Sequence, residues 1–274
     1  SISGYGQTGP SAGKGGFDLV AQGVSGLMSV TGEPGGPPVK AGLPVTDLGA
    51  GLFAVAGILL ALLARTRTGR GQYVDTSLVD AGVALSVWEM TQYFSGRGVP
   101  EPLGSAHRMN APYQAIKCSD GYVTIGAAND RTFRGLCHAL GHPEWGNAPS
   151  FKDNARRVEN REALAASIEE VMGRQSRSYW LMRLEEHGVP CGPINDYGEV
   201  ASDPHVRARA LVVDTEHPTL GKIETLGTPI KLSDTPLIPG RPSPLLGQHT
   251  EEVLRESGFS SAEVAELHQS GAVG

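Results

Sequence analysis

From Leu48 to Ala64 the chain carries no charged residue. This apolar stretch of about 17 residues is interrupted by Gly49, Gly51 and Gly57 and lies near the lower limit for a bilayer span. Its flanks carry the signals of a protein helix. Thr46 or Asp47 supplies the N-cap, Arg65 and Arg67 meet the negative end of the helix dipole, and Gly69 to Gly71 stop it. The expectation is a buried helix. Its apolar residues run around most of its circumference, so it needs cover on several sides, and the fold must be arranged around it.

Composition narrows what that fold can be. Glycine (37) and proline (19) make up about a fifth of the 274 residues, against roughly 12% in an average chain, so turns and irregular connections are frequent. Aromatic residues are few, which leaves Ala, Leu and Val to pack the helices. A net charge of −6, with no basic cluster longer than Arg65–Arg70, argues against a nucleic-acid partner. Residues 1–15 show no basic segment followed by an apolar core, so neither a secretory signal nor a membrane partner is expected. Cys118, Cys137 and Cys191 are odd in number and lack C-x-x-C spacing, which gives no disulfide framework and no zinc ribbon. A reduced, cytoplasmic protein is the simplest expectation.

Four regions follow along the chain. Residues 1–90 hold the glycine-rich opening, the apolar helix, a short alternating strand around Tyr73–Asp75, and a second apolar helix from about Leu78. Residues 91–110 are polar, aperiodic and bear Gly and Pro, so they read as a linker and active-site loop. Residues 111–186 suit a small α+β domain. PYQAIKC and YVTIG form a hairpin around the SDG turn, Asn129 or Asp130 caps a helix, and two more helices carry Leu164, Ile168, Met172 and Trp180, Leu181, Leu184. Residues 187–274 read as a return segment, with strands Leu211–Asp214 and Lys222–Leu226, a proline-rich crossing at Pro236–Pro244, and two short helices. The second of these is opened by the capping box Ser260-x-x-Glu263.

Few side chains stand out chemically. Gly4-Tyr5-Gly6-Gln7-Thr8-Gly9 spells the dinucleotide fingerprint, but that motif needs a helix directly behind it, and Pro10 and further glycines follow instead. His138 and His142 could share a helical face as zinc ligands, yet Gly141 and Pro143 break the helix and no third ligand is near. Cys191 has no cation or helix start beside it in sequence to form a thiolate. Asp47 has two readings. A carboxylate at a helix start is commonly only a cap, but one held ionised in an open apolar site can also act as a nucleophile toward an acyl group.

Longer segments carry a resemblance. GYGQTGP, GGFDLVAQGVSGLMSVTGEP, PVKAGLPVTDLGAGLFAVAGILLALLARTRTGRGQYVDTSLVDA, LGSAHRMNAPYQAIKCSDGYVTIGAAND, GVPCGPIND and PLLGQHTEEVL occur in the order found in family III CoA-transferases, which nearly the whole chain resembles. The resemblance implies an α/β protein holding the C-terminal two-thirds of that fold: part of a large Rossmann-like domain plus a small α+β domain. It places the family's nucleophilic aspartate on Asp47 and a shielding loop on Gly104, Ser105 and His107. Asp18 would orient the active-site loop by hydrogen bonding. It implies CoA transfer through aspartyl anhydride and aspartyl-CoA intermediates, with a CoA thioester as substrate, no metal and no permanently bound cofactor.

The same resemblance sets the alternatives. In the racemase branch of the fold a histidine falls where this chain has Phe17, and a glutamate where it has Asn129, so transfer is favoured over racemisation. The short SAH loop and the SGLM and TDL segments look most like succinyl-CoA-dependent enzymes acting on dicarboxylates such as glutarate. Relatives carry an N-terminal αβ half ahead of this start that supplies most contacts to CoA, and they form interlocked dimers. The expected partners are therefore an acyl-CoA, a small carboxylic acid and either a second copy or a partner chain. A non-catalytic subunit that depends on such a partner is the rival reading.

Overall fold

Near the start of the chain the backbone crosses itself so closely that neither side of the crossing can carry a side chain. A Cβ on Gly4 would lie 2.9 Å from the Gly16 Cα, and one on Gly16 would lie 2.7 Å from the Gly4 Cα. Gly6 and Gly9, at φ 87° and 86°, turn the loop through left-handed backbone. No helix follows these glycines directly, so the fingerprint letters form a structural loop. The computed structural model describes residues 1–237 and 242–273, and it divides into two units, Ser1–Pro193 and Ile194–Gly274.

In the first unit β1 (Ile2–Ser3) enters the glycine loop, which leads to α1 (Asp18–Val24) and then α2 (Val45–Thr68). A two-residue strand β2 (Thr76–Ser77) pairs in parallel with β1 and runs straight into α3 (Leu78–Leu85), followed by α4 (Val87–Phe94). The alternating strand expected around Tyr73–Asp75 is absent. The parallel register pairs only Ile2 with Thr76 and Ser3 with Ser77; ahead of it the Ser1 amine donates to the Val74 carbonyl at 2.7 Å, and the Asp75 side chain accepts the Gln7 N–H at 3.0 Å. Ser77 caps α3 by accepting the Asp80 N–H.

The expectation of a buried α2 needs correction. Only Thr46, Gly49, Ala50 and Ala54 are buried among its 24 residues, while Leu52 is 74% and Leu60 66% exposed. The reason is packing by small residues. α1 and α3 cover one side, where Ala21, Ala50, Leu78 and Ala81 form a core, and a Cβ on Gly49 would already meet Ala81 at 3.3 Å and Leu85 at 3.1 Å. By length and composition α2 is also apolar enough to cross a membrane.

The rest of the first unit is a sheet covered on one face. β3 (Tyr113–Cys118) and β4 (Gly121–Gly126) form the expected hairpin, with Ile116 opposite Val123. Behind it pack α5 (Asp130–Leu140), α6 (Asn154–Glu159), α7 (Arg161–Met172) and α8 (Arg177–Glu186). Phe133, Leu136, Leu164, Ile168, Trp180 and Leu184 fill this core with Ile116, Val123 and Ile125. Asn129 caps α5 in a capping box with Thr132. A third strand, β5 (Cys191–Pro193), adds to β4. The prolines of GVPCGPI hide it in the sequence, although a sheet tolerates proline at its edge.

In the second unit α9 (Tyr197–Ser202) and α10 (Pro204–Ala208) precede a hairpin of β6 (Val212–His217) and β7 (Gly221–Leu226). β6 runs three residues past the expected end at Asp214. His217 Nδ1 accepts the Thr219 and Leu220 N–H groups and so closes the turn. α11 (Thr250–Glu256) and α12 (Ser261–Gln269) follow, the latter with the Ser260–Glu263 capping box. The expected proline-rich crossing at Pro236–Pro244 lies partly outside the described residues.

One buried cation ties the 111–160 region together. The Arg157 side chain is fully buried, lies over the Phe133 ring at 4.5 Å, and donates to the carbonyls of Ala111 and Phe151 and to Asp130 Oδ1. Truncating it strands two carbonyls. Arg157→Met should cost about 3–5 kcal/mol in urea unfolding, whereas Asp130→Asn should cost less than about 1 kcal/mol because that carboxylate is half exposed. Equal losses would mean that the ion pair, rather than the carbonyls, carries the stability.

Candidate active site

Asp47 is the third residue of α2, not its cap. The helix begins at Val45, and Pro44, at the N-cap position, offers no side-chain acceptor. The acceptor comes from α1. The Thr46 N–H donates to Asp18 Oδ1 at 3.0 Å and the Thr46 hydroxyl to the same oxygen at 2.8 Å. The expectation that Thr46 or Asp47 caps the helix is therefore replaced by capping from a separate element. The Asp18 hydrogen bonds fall on the helix start itself.

Burial opposes ionisation of Asp18, but hydrogen bonds from the Thr46 side chain and backbone, from Gln22 and from the Asp47 N–H outweigh it, so its pKa lies below the usual carboxylate value. Gln22, one helical turn after Asp18, is fully buried. It donates to Asp18 Oδ2 at 2.7 Å while its Oε1 accepts the Ala41 N–H at 2.9 Å. Thr46 is sealed on its other side by α3, where a Cβ on Gly82 would meet Ser25 Oγ at 2.3 Å and the Thr46 methyl at 3.3 Å.

Asp47 itself is exposed. Among the described residues its carboxylate has no hydrogen-bond or ion-pair partner. Two glycines stand in the turn after Asp47, Gly49 and Gly51, and only one of them leaves open space. Gly51 does, but Gly49 is the seat of α3.

The 104–107 loop is held elsewhere in this unit, and among the described residues no hydrogen bond joins it to Asp47. Gly104, at φ 57°, donates its N–H to the Gly32 carbonyl at 2.9 Å, and a Cβ there would lie 2.8 Å from the Glu33 carboxylate. Ser105 Oγ accepts the Ala115 N–H, and the His107 N–H donates to the Tyr113 carbonyl. The His107 ring stands edge-on to Trp88 at 4.8 Å. Burial, then the charges of Arg161 and Arg108, lower its pKa against the pull of Glu89. The ring is thereby held neutral near pH 7, with Nδ1 accepting the Met109 N–H. A cavity of about 440 Å³ opens beside it, lined by Trp88, Thr91, Gln92, Met109 and Asn110.

The remaining residues singled out in the sequence fall into place. Phe17 precedes α1 and is 82% exposed. The Asn129 side-chain oxygen is occupied by the Thr132 N–H. Burial raises the Cys191 pKa and keeps it a thiol. His142 pairs with Glu144 and stacks on Trp145, and no group of three His, Cys, Asp or Glu able to hold a metal occurs among the described residues. Gln22 and Gly82 were missed by sequence reasoning, and Thr46 was read only as a cap. The i, i+4 spacing of Asp18 and Gln22 and a glycine inside an apolar helix were the available signals.

The first unit thus joins a glycine-crossed αβ segment to a three-stranded α+β segment. The chain belongs to CoA-transferase family III, whose sequence profile matches residues 1–250. It is 39% identical over 274 residues to the Homo sapiens protein named succinyl-CoA:glutarate CoA-transferase, covering 100% of this chain and 63% of that one. It is also 39% identical over 256 residues to succinate--glutarate CoA-transferase of Agrobacterium fabrum, covering 93% and 64%. A solved CAIB/BAIF family protein from Brucella suis shares the fold at a TM-score of 0.79 and 38% identity, over 93% of this chain and 66% of that one. The chain thus spans about three-fifths of the length of the curated relatives it matches.

The depressed pKa of Asp18 has a stability consequence. A carboxylate whose pKa is lower folded than unfolded contributes stability above the unfolded value and loses it as pH falls through the folded one. Urea midpoints followed from about pH 6 to about pH 2 should fall more steeply for wild type than for Asp18→Asn. Parallel curves would remove Asp18 from the account.

Proposed function

We propose that the protein moves CoA from an acyl-CoA to a free carboxylic acid, with Asp47 as the nucleophile. The observation that carries this is the division of labour at the start of α2. Asp18 accepts the hydrogen bonds that a first-turn aspartate would ordinarily take, and Asp47 is left exposed and unpartnered among the described residues. One Asp47 oxygen attacks the thioester carbonyl carbon, the C–S bond breaks, and CoA leaves as thiolate from a mixed anhydride. The thiolate then attacks the Asp47 carbonyl carbon, expelling the donor as a carboxylate and leaving an aspartyl-CoA thioester. The acceptor carboxylate repeats the two steps in reverse and frees Asp47. Since each intermediate is an acyl derivative of a carboxylate, the exchange between thioesters is near balance and calls for no resident cofactor.

The names of the two glutarate-type relatives support succinyl-CoA as donor and a dicarboxylate such as glutarate as acceptor. Racemisation is the second reading, and two placements weigh against it. Phe17 has no group that exchanges a proton, and Asn129 is occupied as a helix cap. The exposed apolar flank of α2 supports a working assembly in which further protein lies against it, as in an interlocked dimer. A non-catalytic subunit would have no use for a freed Asp47.

The test uses the full-length protein. Asp47→Ala should lower transfer by at least roughly a thousandfold, and wild type held in deuterated water should place no deuterium in a 2-methylacyl-CoA. Transfer that survives the substitution overturns the nucleophile, and deuterium incorporation moves the protein to the racemase branch.

A further inference from the structure

The segment entering α2 is fastened to α1 at three points, all through two side chains on one face of α1. Ala41 donates its N–H to Gln22 Oε1 at 2.9 Å. Gln22 Nε2 donates to Asp18 Oδ2 at 2.7 Å and reaches the Leu43 carbonyl at 3.4 Å. Thr46 donates its N–H and hydroxyl to Asp18 Oδ1 at 3.0 and 2.8 Å. Gln22 and Thr46 are both fully buried, so no water substitutes for a missing partner. The bonds have a fixed polarity: the Ala41 N–H donates to the Gln22 oxygen, the Gln22 amide donates to Asp18, and the Thr46 N–H and hydroxyl donate to Asp18.

We infer that Asp18 and Gln22 act as paired positioning residues that set the direction in which the Asp47 carboxylate leaves α2. The inference rests on the reading of Asp47 as the nucleophile. Neither side chain needs to touch substrate. Because an angular error at a reacting atom is costly, a small displacement of Thr46 would be expressed at its neighbour as a loss of rate rather than of binding.

The polarity supplies the test. In Asp18→Asn, the new side-chain oxygen still accepts from Thr46, but its amide faces the Gln22 amide, donor against donor. In Gln22→Glu, two carboxylates face each other and must share a proton. In the double variant Asp18→Asn/Gln22→Glu, the amide introduced at position 18 donates to the carboxylate introduced at position 22, whose other oxygen accepts from Ala41. The bond between positions 18 and 22 is then restored with reversed polarity, those from Ala41 and Thr46 keep their direction, the net charge is unchanged, and only the 3.4 Å contact to the Leu43 carbonyl is given up.

In the full-length protein each single variant should lower kcat for CoA transfer roughly 100-fold with little change in KM for acyl-CoA. Gln22→Glu should regain rate as pH falls and the shared proton returns, and the double variant should come within about tenfold of wild type at neutral pH. Wild-type kcat in both singles, or a double variant no better than the poorer single, would overturn the inference. Amide exchange at Thr46 reads the bonds without activity: slow in wild type and the double variant, where an oxygen at position 18 accepts from it, and fast in Asp18→Ala, which removes that acceptor. If Asp47→Ala keeps transfer while Thr46 exchange follows this pattern, the nucleophile is wrong and the pairing stands. If Thr46 exchange is unchanged in Asp18→Ala, the pairing is wrong whatever Asp47 does.

Discussion

A helix start exposes N–H groups that the helix itself cannot satisfy, and here the acceptor for them is a carboxylate from a different helix. Asp18 on α1 takes two hydrogen bonds from Thr46 and is held ionised by them, below the usual carboxylate range despite its partial burial. That contact fixes α1 against α2, closes the turn from Ala41 to Thr46, and leaves the aspartate one residue further on without a structural task. The proposed chemistry follows from that last consequence. An aspartate used as a cap has its oxygens turned back onto the backbone, whereas Asp47 is exposed.

Packing around this contact depends on missing side chains. Gly82 lets α3 sit against Ser25 and Thr46, Gly49 lets α3 approach α2, and Gly4 and Gly16 let the opening loop cross itself. Small residues on the packed side of α2 concentrate its large ones elsewhere, which is why Leu52 and Leu60 stand exposed. The loop of Gly104, Ser105 and His107 is fixed by its own set of backbone bonds to Gly32, Tyr113 and Ala115, and His107 is kept neutral by burial and two nearby guanidinium groups.

Much of this was legible from residue order. The period of Phe133, Leu136 and Leu140, the SDG turn between two alternating runs, and the Ser260–Glu263 box are local signals, and local physics realised them. The existence of α2 was legible from its apolar run, but its cap was not. Asp18 lies 28 residues before Thr46, and nothing in either segment announces the bond. The third sheet strand was hidden for the same reason, since Cys191–Pro193 becomes a strand only when β4 is beside it. Asp47 was named from the family resemblance, whereas for Gln22, which bonds only backbone and Asp18, the i, i+4 spacing from Asp18 was the one signal, and the Ala41 half of its bonding is not local.

The most direct test of this account is chemical capture at residue 47. The full-length protein incubated with succinyl-CoA in the presence of hydroxylamine, then digested and mapped by mass spectrometry, should carry a hydroxamate on Asp47 and lose transfer activity in step with that modification. A hydroxamate on Asp18, or loss of activity with the Asp47 peptide unmodified, would contradict the assignment of capping to the first carboxylate and acyl chemistry to the second.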